Sequence, residues 1–276
     1  GGNLMMQNSN FKRLMAVALS VLMMLTAIPF SAAAADETTP KYVAFGTYSN
    51  TTLVWQELGK TTDGDYILIS KDVIAKGAFG GKDYATATIF KTLNTTFFGA
   101  AFTEAEQSYL KDRTVTYSTN AAQATVTGKV TLPSVTDQET YTLGKANLLG
   151  STTATEYWLA DQNAKTIQIK TVTATGRVAQ KPNTATTVGY RAMIVLDGTK
   201  VVSLTKTENV TYTTAQGTEI TAAAIGTGFK VVLDASCSQS AITVKANATA
   251  IEAVVGGVYT ASASPITVEV VVLNLA

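Results

Sequence analysis

Threonine is the feature that most restricts the fold, because it supplies about one residue in six of the 276-residue chain and β-branched side chains favour the pleated surface of a sheet. Valine and alanine are also abundant, whereas proline occurs five times. β-branched residues lose side-chain freedom in a helix, so helices here need a specific local signal. The expected default element is therefore a β-strand.

Composition excludes several functional classes. Lys and Arg total 21 against 20 Asp and Glu, so the chain lacks the basic surface that grips a phosphate backbone, and we expect no nucleic-acid partner. Histidine is absent and cysteine occurs once, which removes Ser-His-Asp triads, Cys-His dyads, zinc sites and any intrachain disulfide. We expect no enzyme, no cofactor and no metal site.

The first 35 residues have the three parts of a secretory signal peptide. Lys12 and Arg13 precede an apolar run at 14–30, and small residues at 31–35 supply a cleavage site near Ala35. A membrane anchor is the alternative, but this run is at the short limit for crossing a bilayer. The sequence thus predicts a secreted, extracellular or cell-surface protein without a transmembrane span after processing, and residues 36–40 form a short leader.

Residues 41–197 begin with strands. Strand-like runs occur at 43–48, 53–58 and 66–70, and Asp63-Gly64 between the last two suits a tight hairpin turn.

Two short helices follow these strands. Ala85, Ile89, Leu93 and Phe97 recur every four residues, which is the spacing of one apolar helix face. Thr103 with Glu106 three residues later forms a capping box, so a second helix is predicted to continue to about residue 112.

Strand-like segments return after residue 115. They lie at 125–130, 156–159, 166–172 and 190–196. The order of strands, two helices, then strands indicates an α+β domain over 41–197 with antiparallel strands.

Residues 198–276 show no helical period and are predicted to form a small all-β, Ig-like sandwich. In the last run, Ile266 to Leu275, apolar residues change parity, so either a bulge shifts the register or both faces are covered. We expect a central strand; the alternative is donation into a neighbouring molecule, which would allow self-association. Cys237 is either a small buried residue or an intermolecular disulfide partner.

Several of these pieces resemble, in order, the bacterial family called domain of unknown function 6273. The matching pieces are Val43–Tyr48, Val54–Leu58, Ile67–Ser70, Leu93–Phe97, Phe102–Glu106, Leu132–Ser134, Tyr157–Leu159 and Gly189–Ala192. The resemblance covers residues 41–197 and implies an exported or surface protein whose closing Gly-x-Arg strand looks C-type-lectin-like.

The chain departs from that pattern at two motifs. The family's Arg-Ser-Pro-Gly after the aromatic pair is replaced by residues 160–163, and its Gly-x-Arg-Pro ending reads Gly189–Ala192. Lys181-Pro182-Asn183 lacks the acid of calcium-dependent lectins, and Cys237 is unpaired, so neither calcium-mediated sugar binding nor formylglycine generation is expected.

The candidate ligand-binding residues are Tyr157, Trp158, Asp161, Asn163 and Arg191. Core packing is the competing interpretation for Trp158, and burial beside an acid is the competing one for Arg191. Loops at 160–165 and 175–188 are the favoured places for ligand contact, because connections vary freely on a fixed scaffold.

Two functions remain in competition. The first is a non-catalytic module that recognises glycan or protein at the cell surface through loops of the first domain. The second is a structural or adhesive subunit that assembles through sheet edges or its C-terminal strand. A hydrolase using only carboxylates is a third alternative, although no acid pair stands out.

Overall fold

A computed structural model describes residues 40–141, 155–163, 168–237, 241–254 and 256–271. The described residues all belong to one compact unit. The predicted signal peptide lies outside the described residues. The described chain is mostly β, as the abundance of threonine and valine predicts.

The strands of the described residues are, in chain order, β1 (Tyr42–Tyr48), β2 (Thr51–Lys60), β3 (Tyr66–Ser70), β4 (Ala75–Lys76), β5 (Leu110–Lys111), β6 (Arg113–Ser118), β7 (Gln123–Gly128), β8 (Tyr157–Gln162), β9 (Gln168–Val172), β10 (Val178–Pro182), β11 (Gly189–Tyr190), β12 (Met193–Leu196), β13 (Val201–Ser203), β14 (Val210–Thr213), β15 (Ala222–Ala224), β16 (Gly228–Leu233), β17 (Ala241–Ala246), β18 (Thr249–Ile251), β19 (Val258–Thr260) and β20 (Ile266–Val271).

The helices are short. They are α1 (Thr88–Thr92), a π-helical turn (Leu93–Phe97), α2 (Phe98–Ala101), α3 (Glu104–Gln107) and α4 (Val135–Thr140), with 3₁₀ turns at Tyr84–Thr86, Gly198–Lys200 and Ala235–Cys237.

A seven-stranded sheet with the order β13-β15-β1-β2-β3-β12-β5 organises the fold. Its strands pair antiparallel except for β1 and β15, which run parallel with Val43 opposite Ala222. A five-stranded sheet has the order β10-β9-β8-β11-β4, and β6 and β7 form a separate hairpin.

Both faces of the seven-stranded sheet are buried. Val43 and Phe45 enter a core shared with the helices and with Trp158 of the five-stranded sheet, whereas Ala44 enters a second core built with the C-terminal strands. This division follows from the two-residue period of a strand, which sends successive side chains to opposite faces.

The predicted four-residue apolar face is confirmed over most of its length. Ile89, Leu93, Phe97 and Ala101 are buried along the helical segment that α1, the π-helical turn and α2 make together. The capping box is also present, because the Glu106 amide donates to the hydroxyl of Thr103 at 3.3 Å and the Thr103 amide donates to the Glu106 carboxylate at 2.8 Å. The helix that this box begins ends at Gln107 rather than near 112, since β5 starts at Leu110.

Residues 201–271 contribute strands to more than one sheet. Two three-stranded sheets, β14-β16-β19 and β18-β17-β20, surround the second core, while β13 and β15 belong to the seven-stranded sheet. Strands from both sides of residue 197 therefore share one sheet, and the domain boundary at 197/198 and the Ig-like sandwich stay predictions.

β20 lies at one end of its sheet among the described strands, whereas the sequence favoured a central position. It pairs antiparallel with β17, and Ile266 and Val268 are buried. Residues 272–276 lie outside the described chain, so the parity change is described only as far as residue 271. Cys237 is a buried free thiol, as expected of a small core residue.

No helix within the described ranges is both long and apolar enough to cross a membrane.

Candidate functional site

The structure places the predicted site residues Tyr157 and Trp158 in the interior. All six residues of β8 are buried. The Trp158 ring meets Phe79 edge-on at 5.7 Å between centroids, and its indole N–H donates to the Gly77 carbonyl at 2.9 Å. Burial raises the pKa of Tyr157 to about 12, with nearby Arg191 opposing the shift. Both aromatic rings therefore occupy core positions, as the competing interpretation of Trp158 proposed.

Asp161 is a structural hydrogen-bond acceptor. Its Oδ1 accepts from the amide and hydroxyl of Ser118 at 2.8 and 2.9 Å, and its Oδ2 accepts from the Val135 amide at 2.7 Å. The carboxylate thus ties β8 to β6 and to the start of α4.

Asn163 is half-buried beyond the end of β8, and its side-chain amide donates to the side-chain oxygen of Gln180. Part of the predicted loop at 160–165 is strand, because β8 continues to Gln162. The predicted loop at 175–188 likewise contains β10.

Arg191 is also buried, but the acid expected beside it is absent from the described ion pairs. Its Nε donates to the Ser70 carbonyl at 2.9 Å, and the guanidinium lies 5.3 Å from the centre of the Tyr157 ring. Neither Nη atom has a hydrogen-bond partner of normal geometry, and burial lowers the pKa of Arg191. The ligand-binding role of these five residues stays a prediction, and four of them present almost no surface to a ligand.

A groove of about 570 Å³ lies elsewhere, at the end of the β1–β2 hairpin. Its walls come from three separate segments of the chain. They are the hairpin end between Gly46 and Thr52, the helical segment from Gly99 to Glu106, and the turn Gly226–Gly228.

The first wall depends on a glycine. Gly46 has a φ of +76°, and a Cβ there would come within 2.6 Å of the Phe102 ring and 2.8 Å of the Ala101 carbonyl. Only glycine satisfies both the left-handed backbone and this close approach. The pairing of β1 with β2 shifts between Ala44 and Thr47, and the turn residues Ser49 and Asn50 have φ values of +50° and +62°.

The second wall is the end of the helical segment. Phe102 stacks on Phe45 with 4.9 Å between ring centroids, which fixes the segment against β1. The capping box then places Thr103 and Glu106 at the groove, with the Glu106 Oε2 accepting from the amide and hydroxyl of Thr103. The Glu106 Oε1 has no hydrogen-bond partner within the described part of the chain.

The third wall contains a buried hydroxyl without a partner. The Thr227 amide donates to the Ala224 carbonyl at 2.9 Å, and its carbonyl accepts from the Ala261 amide at 3.0 Å. Its Oγ1 is buried and makes no hydrogen bond. A buried hydroxyl without a hydrogen bond is costly, but this atom has almost no exposed surface, so it is closed to a molecule in the groove.

The described residues that line the groove carry one ionisable side chain, Glu106, and no lysine or arginine. The rest of the polar lining is hydroxyl, amide and backbone. The described lining therefore lacks the paired carboxyl groups of glycoside hydrolysis. In addition, the described ranges hold no cluster of three His, Cys, Asp or Glu side chains arranged for a metal ion.

Sequence reasoning found parts of this groove without bringing them together. The spacing of Thr103 and Glu106 identified a helix cap, but nothing in the sequence connected it with residues 226–228. The missing signal was β15, whose three alanines do not stand out as a strand, and whose parallel pairing with β1 brings residues 226–228 beside the hairpin.

Comparison of the chain with protein-family models gives no match, and comparisons with curated proteins and with solved structures give none either. The resemblance to domain of unknown function 6273 therefore remains an expectation from the sequence.

Proposed function

We propose that this chain is an exported, non-catalytic binding module that holds a small polar ligand in the groove between the β1–β2 hairpin, the 99–106 segment and the Gly226–Gly228 turn. The groove itself is the observation that carries the proposal. Its volume of about 570 Å³ falls in the range of small-ligand pockets. The signal-peptide pattern of residues 1–35 supports export to the cell surface or beyond.

The side-chain chemistry supports binding without catalysis. The groove places short hydroxyl side chains and the Glu106 carboxylate on walls that the fold holds in place through Gly46 and Phe102. Pre-organised polar groups of this kind fix the orientation of a ligand with little ordering cost.

A groove-blocking variant tests the proposal. Gly99 lies on the groove wall in α2, its φ is not positive, and no atom lies within 4 Å of an added Cβ. Gly99→Trp is therefore expected to fold and to fill the groove. Gly59→Trp is the matched control, because Gly59 also has open space at its Cβ and does not line the groove.

The probe is an array of neutral, acidic and amine-bearing oligosaccharides and of short peptides, incubated with the purified full chain and with each variant. We expect the full chain and Gly59→Trp to bind the same probes and Gly99→Trp to lose them. Equal binding by Gly99→Trp and Gly59→Trp, or no binding to any probe, would contradict the proposal.

A second candidate function, assembly into a structural or adhesive subunit, is favoured by the position of β20. The Thr205 amide donates to the Ile266 carbonyl on the side of β20 that faces away from β17. From Thr267 onward, no described strand pairs with that side. An unpaired strand edge can accept a strand from another molecule.

Size-exclusion chromatography with light scattering separates the two candidates. Assembly through β20 predicts oligomers whose size grows with protein concentration. A full chain that remains a monomer up to about 1 mM protein would exclude this candidate, because that concentration is well above the Kd of a functional self-association.

A further inference from the structure

We propose that the groove at the β1–β2 hairpin binds a neutral glycan; this inference rests on the proposed function and names the class of ligand. The polar atoms of the groove, its charge and the shape of its backbone each favour this class.

Short side chains supply the polar atoms. Thr47, Ser49 and Thr52 bring hydroxyls, and Asn50 brings an amide. A hydroxyl both donates and accepts, and an amide side chain does the same through two atoms. Sugar rings present closely spaced hydroxyls that donate and accept in turn, so they match this lining. The Glu106 Oε1 adds an acceptor that the capping box does not use.

Charge selects against an anionic ligand. Glu106 is the ionisable residue among the described lining residues, and the lining contains no cation. A phosphate, sulfate or uronic acid would approach a carboxylate with no positive partner, which costs binding free energy in a partly desolvated groove. A neutral sugar can instead donate a hydroxyl to the Glu106 Oε1.

Backbone shape selects against a peptide that adds as a strand. Strand addition needs a regular run of unpaired amides and carbonyls. The groove wall instead contains Gly46 in the left-handed region, a register shift between Ala44 and Thr47, and two turn residues with positive φ. This irregular wall cannot pair with successive residues of an extended chain.

The aromatic rings of the site predict a modest affinity. Phe102 is almost completely buried against Phe45 and Trp55, so it offers little surface for stacking on a sugar. Binding then depends on hydrogen bonds rather than on stacking, and we expect a Kd between about 10 μM and 1 mM.

Isothermal titration calorimetry tests the inference with neutral di- to tetrasaccharides of glucose, galactose, mannose and N-acetylglucosamine. Matched uronic-acid and sulfated oligosaccharides and an extended hexapeptide are the comparison probes. We expect at least one neutral series to bind the purified full chain, with an affinity that changes less than about twofold between 50 and 500 mM NaCl because no ion pair is formed.

Thr52→Val removes one hydroxyl from the groove with little change in shape. It is expected to weaken binding of the neutral oligosaccharide about 3–10-fold, the loss of one hydrogen bond, while keeping the fold. Thr211→Val is the matched control, because Thr211 is likewise a partly buried strand residue and does not line the groove. Thr211→Val is expected to leave the affinity unchanged.

Glu106→Gln distinguishes a ligand that contacts Glu106 through a sugar hydroxyl from one that contacts it through an amine. Gln keeps an acceptor for the capping box and removes the charge. We expect less than about a threefold loss for a neutral oligosaccharide, whereas an amine-bearing ligand would lose more than about tenfold.

Three outcomes would overturn the inference. In the first, the chain binds acidic oligosaccharides or the hexapeptide in preference to neutral ones and loses that binding in Gly99→Trp. That result would refute the neutral-glycan class and leave the proposed function standing. Neutral binding that Thr52→Val and Thr211→Val weaken equally would place the sugar elsewhere. No groove-dependent binding of any probe would refute both proposals.

Discussion

Asp161 illustrates, at the scale of single residues, why a polar side chain in a promising motif need not face a ligand. The sequence places it directly after an aromatic pair, and the structure gives its carboxylate three hydrogen bonds from Ser118 and Val135. Nothing in the local sequence reveals those donors, since they lie 26 and 43 residues away.

Replacing Asp161 by alanine is expected to destabilise the fold. Asp161→Ala leaves three partly buried donors without this acceptor, and we predict a loss of about 3 kcal/mol in the free energy of unfolding. Urea denaturation followed by tryptophan fluorescence measures the loss, and the exposed Asp63→Ala should change stability by less than about 0.5 kcal/mol. A stable Asp161→Ala protein that fails only in ligand binding would return Asp161 to the site.

Acid sensitivity is expected at Asp197. Hydrogen bonds from Lys111, at 2.8 Å, and from Thr199 lower the pKa of Asp197 from 3.8 to about 2. Because the pKa is lower in the folded than in the unfolded protein, this stabilisation is complete above 3.8 and is lost as the pH falls toward 2.

Urea midpoints measured between about pH 5 and pH 2 should therefore fall less steeply for Asp197→Asn than for the unmodified chain. Asp234→Asn, at an exposed acid without an ion pair in the described residues, is the control for a general charge effect. Identical slopes for all three proteins would show that the Lys111 contact does not stabilise the fold.

At the scale of elements, the apolar periodicity predicted that a helix is present better than it predicted where the helix begins and ends. Ile89, Leu93 and Phe97 recur every four residues, slightly wider than the 3.6-residue turn of an α-helix, and the structure contains a π-helical turn at Leu93–Phe97. The sequence predicted one helix there and gave no reason to expect the wider turn. α4 was missed because its apolar content is low, although Ser134 and Asp137 form a capping box.

Asn94 holds the π-helical turn to the segment after β7. Its Oδ1 accepts from the amides of Lys129 and Val130, and its Nδ2 donates to the carbonyls of Phe90 and Val130. We predict that Asn94→Ala lowers the free energy of unfolding by about 2 kcal/mol, since it leaves partly buried backbone groups unpaired.

Thermal and urea denaturation check this value. Thr95→Ala is the neighbouring control, because its exposed hydroxyl bonds only the Lys91 carbonyl, and it should cost less than about 0.5 kcal/mol. Similar costs for the two substitutions would mean that the Asn94 hydrogen bonds do not anchor the turn.

At the scale of the whole molecule, the parallel pairing of β1 with β15 is the feature that sequence could not provide. It joins strands about 180 residues apart, and β15 has three alanines where a stronger strand would have larger β-branched residues. Composition and turn signals indicated a β-rich fold and many of its strands, but the pairing that brings Gly226–Gly228 to the hairpin arises only when the second core packs.

The groove is consequently a product of long-range packing, whereas the predicted site was sought within one local motif. The motif around Trp158 attracted attention because aromatic and polar residues adjoin there. In the folded chain those residues alternate between two buried surfaces, which is the ordinary consequence of a strand covered on both faces.

The most direct test of this account is amide chemical-shift mapping of the full chain during titration with the neutral oligosaccharide that binds best. Ligand binding in the groove predicts shifts concentrated at residues 46–52, 99–106 and 226–228. Shifts concentrated at Tyr157–Asn163 and Arg191, or no localised shifts at saturating ligand, would contradict it.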